Sequence, residues 1–453
     1  MFHIITFFLS FPLNILFRNS IIQTSLGTGG RTGTDMVKLL IIADDFTGAL
    51  DTGVQLAACG AATLITTGNM SLTGQDSDPD VLVLDAETRH LPPEKAYAAI
   101  SEIAAKAGSL RIPHIFKKTD SALRGNIGAE LTALLHACGE SQLPFIPAFP
   151  QIGRTTENGV HLINGVAVEN SVFHADPFEP VRHSRVSQII ADQNNVPVKN
   201  CPVPDEGTLF PSDPGILVFD SRTEADLHAI ARTLKRTGHT HILAGCAGFG
   251  AVLPELLDLG SPRTPEIPVL DPRLLIICGS VNPITLAQLD DAENSGFARI
   301  RLTPAQKMGS GYWDTEEGIR DIGQLSRFLA ENPLCMIDSN DKEGNDPTRK
   351  YAAEHHMDLN GMRLAISHSL GYIVKSLFSS AGLGTLLITG GDTLLQCMNC
   401  MGVNTLEPVC EFEPGVVLSK FSSGDSTHYI LTKSGGFGNA DLMSRIAERI
   451  SVK

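Results

Sequence analysis

The stretch VKLLIIADDFTGALDTG, residues 37–53, governs the reading of the chain. Val37 to Ala43 is an apolar run broken only by Lys38, which predicts a strand buried on both faces. Asp44 and Asp45 then stand at the carboxyl end of that strand, and Thr47-Gly48-Ala49 opens a helix. In open α/β sheets this edge is where ligands bind. A helix N-terminus offers unpaired N–H groups to an anion, and two carboxylates offer a base, a hydroxyl acceptor or a metal ligand. Helix capping accounts for one of the two aspartates. It does not account for both, and crowded carboxylates at a strand end raise each other's pKa.

Similar apolar runs recur along the chain, among them 62–66, 80–86, 114–120, 144–149, 215–220, 240–245, 274–279, 334–338 and 385–391. Helical patterns lie between them at 92–108 and 223–238, the second with Thr223 as N-cap and Gly238 as C′ residue. This alternation predicts an α/β fold: two α/β domains, each with a mainly parallel sheet covered by helices, and an active site in the cleft between them. The boundary is read at Leu259–Pro272, where four prolines fall in a short stretch without periodicity. The expected divisions are a first α/β domain at 36–258, a linker at 259–271 and a second α/β domain at 272–453. Residues 150–215, rich in Pro, Asn and His, read as an irregular functional loop.

Composition narrows the function. Of 453 residues, 50 are acidic and 35 are Lys or Arg, a formal charge of −15, so a general nucleic-acid binder with its basic stripe is excluded. A small anion is not excluded, because a few cations and backbone N–H groups suffice to hold one. Nine scattered cysteines are no disulfide framework, and a reducing cytoplasm is expected. The single C-x-x-C, Cys397 to Cys400, lies in an apolar helical pattern and reads as core rather than zinc site. Residues 1–35 stand apart. Met1–Phe17 is apolar but carries no basic residue ahead of it and is too short to span a bilayer. It is read as a non-native or extra extension before a start at Met36, with a membrane anchor as the competing reading.

Further polar clusters follow other strands. FKKTDSALRGNIG (116–128) concentrates Lys117, Lys118, Asp120, Ser121, Arg124 and Asn126. Arg supplies a planar fork for a carboxylate and Asp an acceptor for a hydroxyl, so a polyhydroxy acid fits; a solvated turn with a surface ion pair would look similar. PAFPQIGRTTENG (147–159) adds Arg154, Thr155 and Asn158, and His161 follows it. A lone histidine is usually structural, and His161 receives no catalytic role. In the second half, glycine turns follow strands at 274–285, 385–395 and 430–443, with Asp392 and Lys433 beside them. Such turns cradle phosphate on backbone N–H groups. No Gly-Lys dipeptide and no G-x-G-x-x-G occurs, so neither the Walker A loop nor the dinucleotide fingerprint is present.

ADDFTGA (43–49), DAETR (85–89), KTDSALRGN (118–126), PAFPQIGRTT (147–156), CGSVNP (278–283), TGGDT (389–393) and KSGGFG (433–438) together resemble the four-carbon acid sugar kinase family. The likeness runs from Met36 to about Met443 in the family's order. It implies a two-domain enzyme that binds an acid sugar in its first domain and ATP with Mg²⁺ in its second. It further implies phosphorylation of the 4-hydroxyl of D-threonate, D-erythronate or 3-oxo-tetronate in carbohydrate catabolism. Carried over residue by residue, it implies substrate contacts from Asp45, Arg89, Lys118, Thr119, Asp120, Ser121 and Arg124. It implies ATP contacts from Ser280, Gly390, Gly391, Asp392, Thr393, Gly435 and Gly436. On this reading Arg89 or Arg124 holds the carboxylate and Asp45 or Asp120 is the catalytic base, with the metal ligands unassigned. The partners are then the acid sugar and ATP, with no nucleic acid and no membrane; homo-oligomerisation is left open. A sugar-acid sensor without catalysis is the alternative, and ADP release separates the two.

Overall fold

Unbroken apolar runs become fully buried strands in the computed structural model, which describes residues 37–67, 79–176, 178–260, 266–342, 344, 346–380, 383–424, 426–434 and 436–451. The extension at 1–35, the proposed start at Met36, part of the proposed linker and Gly435 lie outside the described residues. The first half contributes β1 (Leu39–Ala43), β2 (Thr63–Thr67), β3 (Val81–Asp85), β4 (His114–Lys118), β5 (Gln142–Ile146), β6 (Arg154–Glu157), β7 (Val160–Ile163), β8 (Val166–Ala167), β9 (Val198–Cys201), β10 (Gly215–Phe219) and β11 (Ile242–Gly245). The second half contributes β12 (Leu274–Cys278), β13 (Ala298–Arg301), β14 (Leu334–Asp338), β15 (Thr385–Thr389), β16 (Thr405–Glu413), β17 (Val416–Ser423) and β18 (Ser426–Lys433). Every residue of β1, β2, β3, β10, β12 and β15 is buried, as strands covered on both faces must be.

Each half is the mainly parallel α/β layer that the sequence predicts. The two halves are also joined edge to edge, in the order β13-β14-β12-β15-β18-β17-β16-β2-β3-β1-β4-β11-β5-β10-β9. The join is an antiparallel pairing of β2 with β16 through Thr66–Thr405 and Ile65–Leu406. Along the path from β1 to β15 three pairings are antiparallel: β2 with β16, β16 with β17, and β17 with β18. The largest buried apolar cluster crosses both halves, running from Leu39, Phe46 and Phe116 to Ile277, Leu370 and Ile388. Met36–Lys453 is accordingly one compact unit.

Local chemistry sets the element ends. Thr223 accepts from Asp226 N in a reciprocal capping box, and Gly238 closes that helix at φ +75°. Cys397 is buried in the helix Gly391–Met401, as its apolar context predicts. The segment 150–215 is not irregular throughout. It holds the three-stranded sheet β6-β7-β8, short helical turns and the edge strand β9. Paired turns at Asn158-Gly159 and Asn164-Gly165, all at positive φ, give it hairpin order despite its polar composition. Among the described residues, no helix is long and apolar enough to cross a membrane.

Candidate active site

Strand register brings the first-half motifs to one edge. Ala43 pairs with Asp85 and with Lys118, Lys118 with Gly245, and Gly245 with Ile146. The loops that leave those residues therefore converge. Asp45 is the N-cap of the helix Phe46–Ala58 and accepts from Gly48 N at 2.9 Å through Oδ1. Its Oδ2 accepts from Arg89 Nη1 at 2.5 Å, while Arg89 Nε donates to Asp44 Oδ2 at 2.8 Å and Nη2 lies 3.8 Å from Asp120 Oδ1. One guanidinium thus serves three carboxylates. Gly125, at φ +85°, makes room for it, since a Cβ there would lie 3.0 Å from Arg89 Cγ. Asn126 stitches the loop in place by donating to the carbonyls of Thr88 and Leu91, each at 2.8 Å.

Asp120 is fixed from several sides. Arg124 forks onto it through Nε and Nη2, both at 2.9 Å, and the backbone N–H groups of Ala122 and Arg124 donate to Oδ2. Although burial opposes ionisation, Arg124 and Arg89 hold its carboxyl far below the usual range. Arg124 also reaches Asp176 Oδ2 at 3.1 Å. Lys118 is buried, and its ammonium donates to the Thr119 carbonyl at 2.9 Å. Thr119 is buried with its hydroxyl unpartnered, as is Asp44 Oδ1. Such orphaned polar atoms, gathered at one strand edge, suit a ligand rich in hydroxyls. Ser121 lies in the same loop, and its carbonyl accepts from His161 Nε2 at 2.9 Å. Thr156 engages His161 Nδ1, and burial pushes that imidazole down to about 4, so His161 is a neutral brace.

The second-half turns converge likewise. Cys278 pairs with Asp338 and Thr389, and Thr389 with Lys433. Ser280 follows β12, and its carbonyl accepts from Asn340 Nδ2 at 3.1 Å. Asn282 caps the helix Pro283–Asn294 beside it. Gly390, at φ +107°, and Gly391 open the helix Gly391–Met401; Thr393 is buried there, and Asp392 pairs with Arg363 at 2.7 Å. A Cβ on Gly391 would lie 2.4 Å from Thr47 Oγ1, so the two halves touch at this turn. Gly436 is exposed beyond β18. All the predicted residues that are described fall into these two clusters. Where the halves meet, a small cleft is lined by Thr47 and Asp51 on one side and by Gly390, Gly391 and Lys433 on the other.

Two cleft residues were missing from the predicted set. Asp51 lies one helical turn after Thr47 and shares its face, a phase that the sequence already contains. Burial pushes its carboxyl up to about 7, against the pull of Lys118. Lys433 is buried, donates to Thr285 Oγ1 and the Ser434 carbonyl, and is pushed down to about 8 by burial. The chemistry of this side fits a nucleotide phosphate: glycine backbone, helix N-termini and a buried ammonium. Among the described residues no cluster of three or more His, Cys, Asp or Glu is placed to hold a metal ion.

Residues 39–253 match the family model of a sugar-binding N-terminal domain, and residues 275–443 that of a nucleotide-binding C-terminal domain. A D-threonate kinase from Salmonella typhimurium is 30% identical over 419 residues, covering 89% of this chain and 96% of the relative. The chain belongs to the four-carbon acid sugar kinase family. Within that family, a D-erythronate kinase from Heliobacterium modesticaldum is 27% identical, covering 90% of this chain and 95% of its own. A Haemophilus influenzae crystal structure shares the fold with a TM-score of 0.67 at 20% identity, over 90% of this chain and 99% of its own. The two clusters thus fall within the sugar-binding and nucleotide-binding halves of a sugar acid kinase family member.

Proposed function

We propose that this protein is an ATP-dependent kinase that phosphorylates the 4-hydroxyl of a four-carbon acid sugar, D-threonate, D-erythronate or 3-oxo-tetronate, in carbohydrate catabolism. The observation that carries the reading is a polyol-suited cluster at the strand ends of the first half and glycine turns with a buried lysine at those of the second, the halves touching where Thr47 meets Gly391. The names of the similar kinases support the substrate class. ATP would be held by Ser280, the Gly390–Thr393 turn, Lys433 and Gly436, and it supplies the transferable phosphoryl group, with Mg²⁺ neutralising charge on the phosphates. The chain's own part is to orient the acid, keep water out of the cleft and take the proton from the hydroxyl. Asp120 is engaged by Arg124 at both oxygens and suits orientation rather than proton transfer. Asp51 lines the cleft with a proton affinity near neutrality, which suits a general base. ADP release measured with ATP, Mg²⁺ and a panel of four-carbon acids tests the function. Acid binding without ADP release would make the protein a sensor instead.

Two predictions belong to this reading. Asp51→Asn is expected to lower kcat about 100-fold, the lower range for a general base. In the wild type, kcat/KM should fall as pH drops below about 7, because the base must be unprotonated, and the variant should lose that limb. A variant within threefold of wild type would remove Asp51 from the mechanism. Lys433 gives the opposite sign. A phosphate prefers its ammonium form, so nucleotide affinity should be full below about pH 8 and fall as pH rises through it. At pH 9 the nucleotide KM should be about tenfold higher than at pH 7. Lys433→Arg, which keeps its charge, should flatten the profile; an unchanged slope would show that another group titrates.

A further inference from the structure

We propose that Arg154, rather than Arg89 or Arg124, holds the carboxylate of the acid sugar. The inference rests on the proposed function and fixes which end of the substrate lies where.

Arg89 is shared among Asp44, Asp45 and Asp120, and Arg124 is forked onto Asp120 and bonded to Asp176. Both guanidiniums already have their counter-ions. The side chain of Arg154 makes no hydrogen bond or ion pair among the described residues, and its Nε is buried without a partner. Its guanidinium carbon lies 5.2 Å from the centre of the Phe173 ring, and so does that of Arg124. Two like charges therefore share one aromatic ring, and only one of them is neutralised. Burial and Arg124 act against the charge on Arg154 and outweigh the pull of Asp120, which already has two arginines of its own.

An arginine in that condition is costly unless an anion arrives, and a planar two-oxygen carboxylate matches its fork. The backbone presents it rigidly. Phe149 and Arg154 exchange both backbone hydrogen bonds, at 2.7 and 3.0 Å, after Gly153 turns the chain at φ +69°. Lys118 marks the other end. Among the described residues its ammonium forms no ion pair within 4 Å, and it lies 2.6 Å from where a Gly48 Cβ would stand, at the start of the helix that carries Asp51. The carboxylate at Arg154 then directs the far hydroxyl toward Lys118, Asp51 and the cleft.

The test compares a four-carbon acid with its tetritol, which lacks the carboxylate, using ADP release by wild type, Arg154→Met and Arg154→Lys. Arg154→Met should raise the KM for the acid roughly 30-fold or more, the loss typical of truncating a buried charge pair. The KM for ATP should stay within twofold. The tetritol's kcat/KM, or its inhibition constant where it is not turned over, should match wild type, so the preference for the acid collapses. In a further variant, Arg154→Ala, added guanidinium should restore part of the acid activity. Arg154→Lys keeps the charge without the fork and should show a smaller rise with a wild-type melting temperature, which separates binding from folding. An unchanged acid KM, or equal losses for acid and tetritol, would overturn the assignment while leaving the kinase in place. A wild type that transfers phosphate to none of the acids would overturn both.

Discussion

Arg89→Met is expected to lower stability by about 3–5 kcal/mol at pH 8, the range for breaking a buried ion pair from one side, and to abolish phosphoryl transfer. Stability of a domain is typically about 5–15 kcal/mol, so this is a large part of the whole. The cause is the arrangement of charge. Arg89 is 9% exposed and neutralises Asp44 and Asp45 directly and Asp120 at longer range. Methionine fills the space that Gly125 leaves but returns three carboxylates to each other. The pH dependence follows in sign. In wild type, Asp44 and Asp120 have lowered carboxyl pKa values, so their contribution is present above the ordinary aspartate range and lost as pH falls through and below it. In the variant, burial and mutual repulsion raise those carboxyls, which then take up protons more readily as pH falls. The deficit should therefore shrink between pH 8 and pH 5. Urea midpoints at the two pH values measure it, and a variant within 1 kcal/mol of wild type at pH 8 would refute the shared-arginine account.

Lys117→Met should cost a similar 3–5 kcal/mol. Lys117 and Glu130 form an ion pair at 2.9 Å with side chains 0% and 1% exposed. Burial alone pushes the Glu130 carboxyl up, and Lys117 pulls it down. Removing the lysine leaves a buried acid that must take a proton or stay charged in an apolar setting. The double variant Lys117→Met, Glu130→Leu should return to within about 1 kcal/mol of wild type, because an apolar pair of similar volume often replaces a buried ion pair without loss. A double-mutant cycle by chemical denaturation reads the coupling. If the double variant is as unstable as the single one, the pair has a role beyond mutual neutralisation.

Much of this site could be read from residue order. Strand ends name their own loops, so ADDFTGA, DAETR and KTDSALRGN were legible as one edge once their strands were recognised as parallel. The helix after Thr223 was legible because both of its caps are local chemistry. The meander β16–β18 was not. Its first strand, β16, buries only alternate residues, and Pro408 interrupts the run that would have marked it. Arg154 stood in a quoted motif, but its lack of a partner is a property of Asp120, Asp176 and Arg124 being satisfied elsewhere, which only three dimensions display. Lys117 looked like one more charge of a polar loop, whereas its alternation along β4 sends it inward to Glu130.

The odd number of antiparallel pairings between β1 and β15 has a geometric consequence. Laid flat, such a sheet would send the carboxyl ends of the two halves to opposite borders, out of reach of each other. Six lateral steps separate β1 from β15, and right-handed strands rotate by about 20–25° at each. The accumulated turn, on the order of 120–150°, swings the second half round until Gly391 meets Thr47. The handedness of L-amino acids, expressed through the three strands β16–β18, is what lets phosphoryl donor and acceptor meet. Inserting or deleting one strand of that meander would reverse the facing of the nucleotide turns without altering any residue that contacts a substrate.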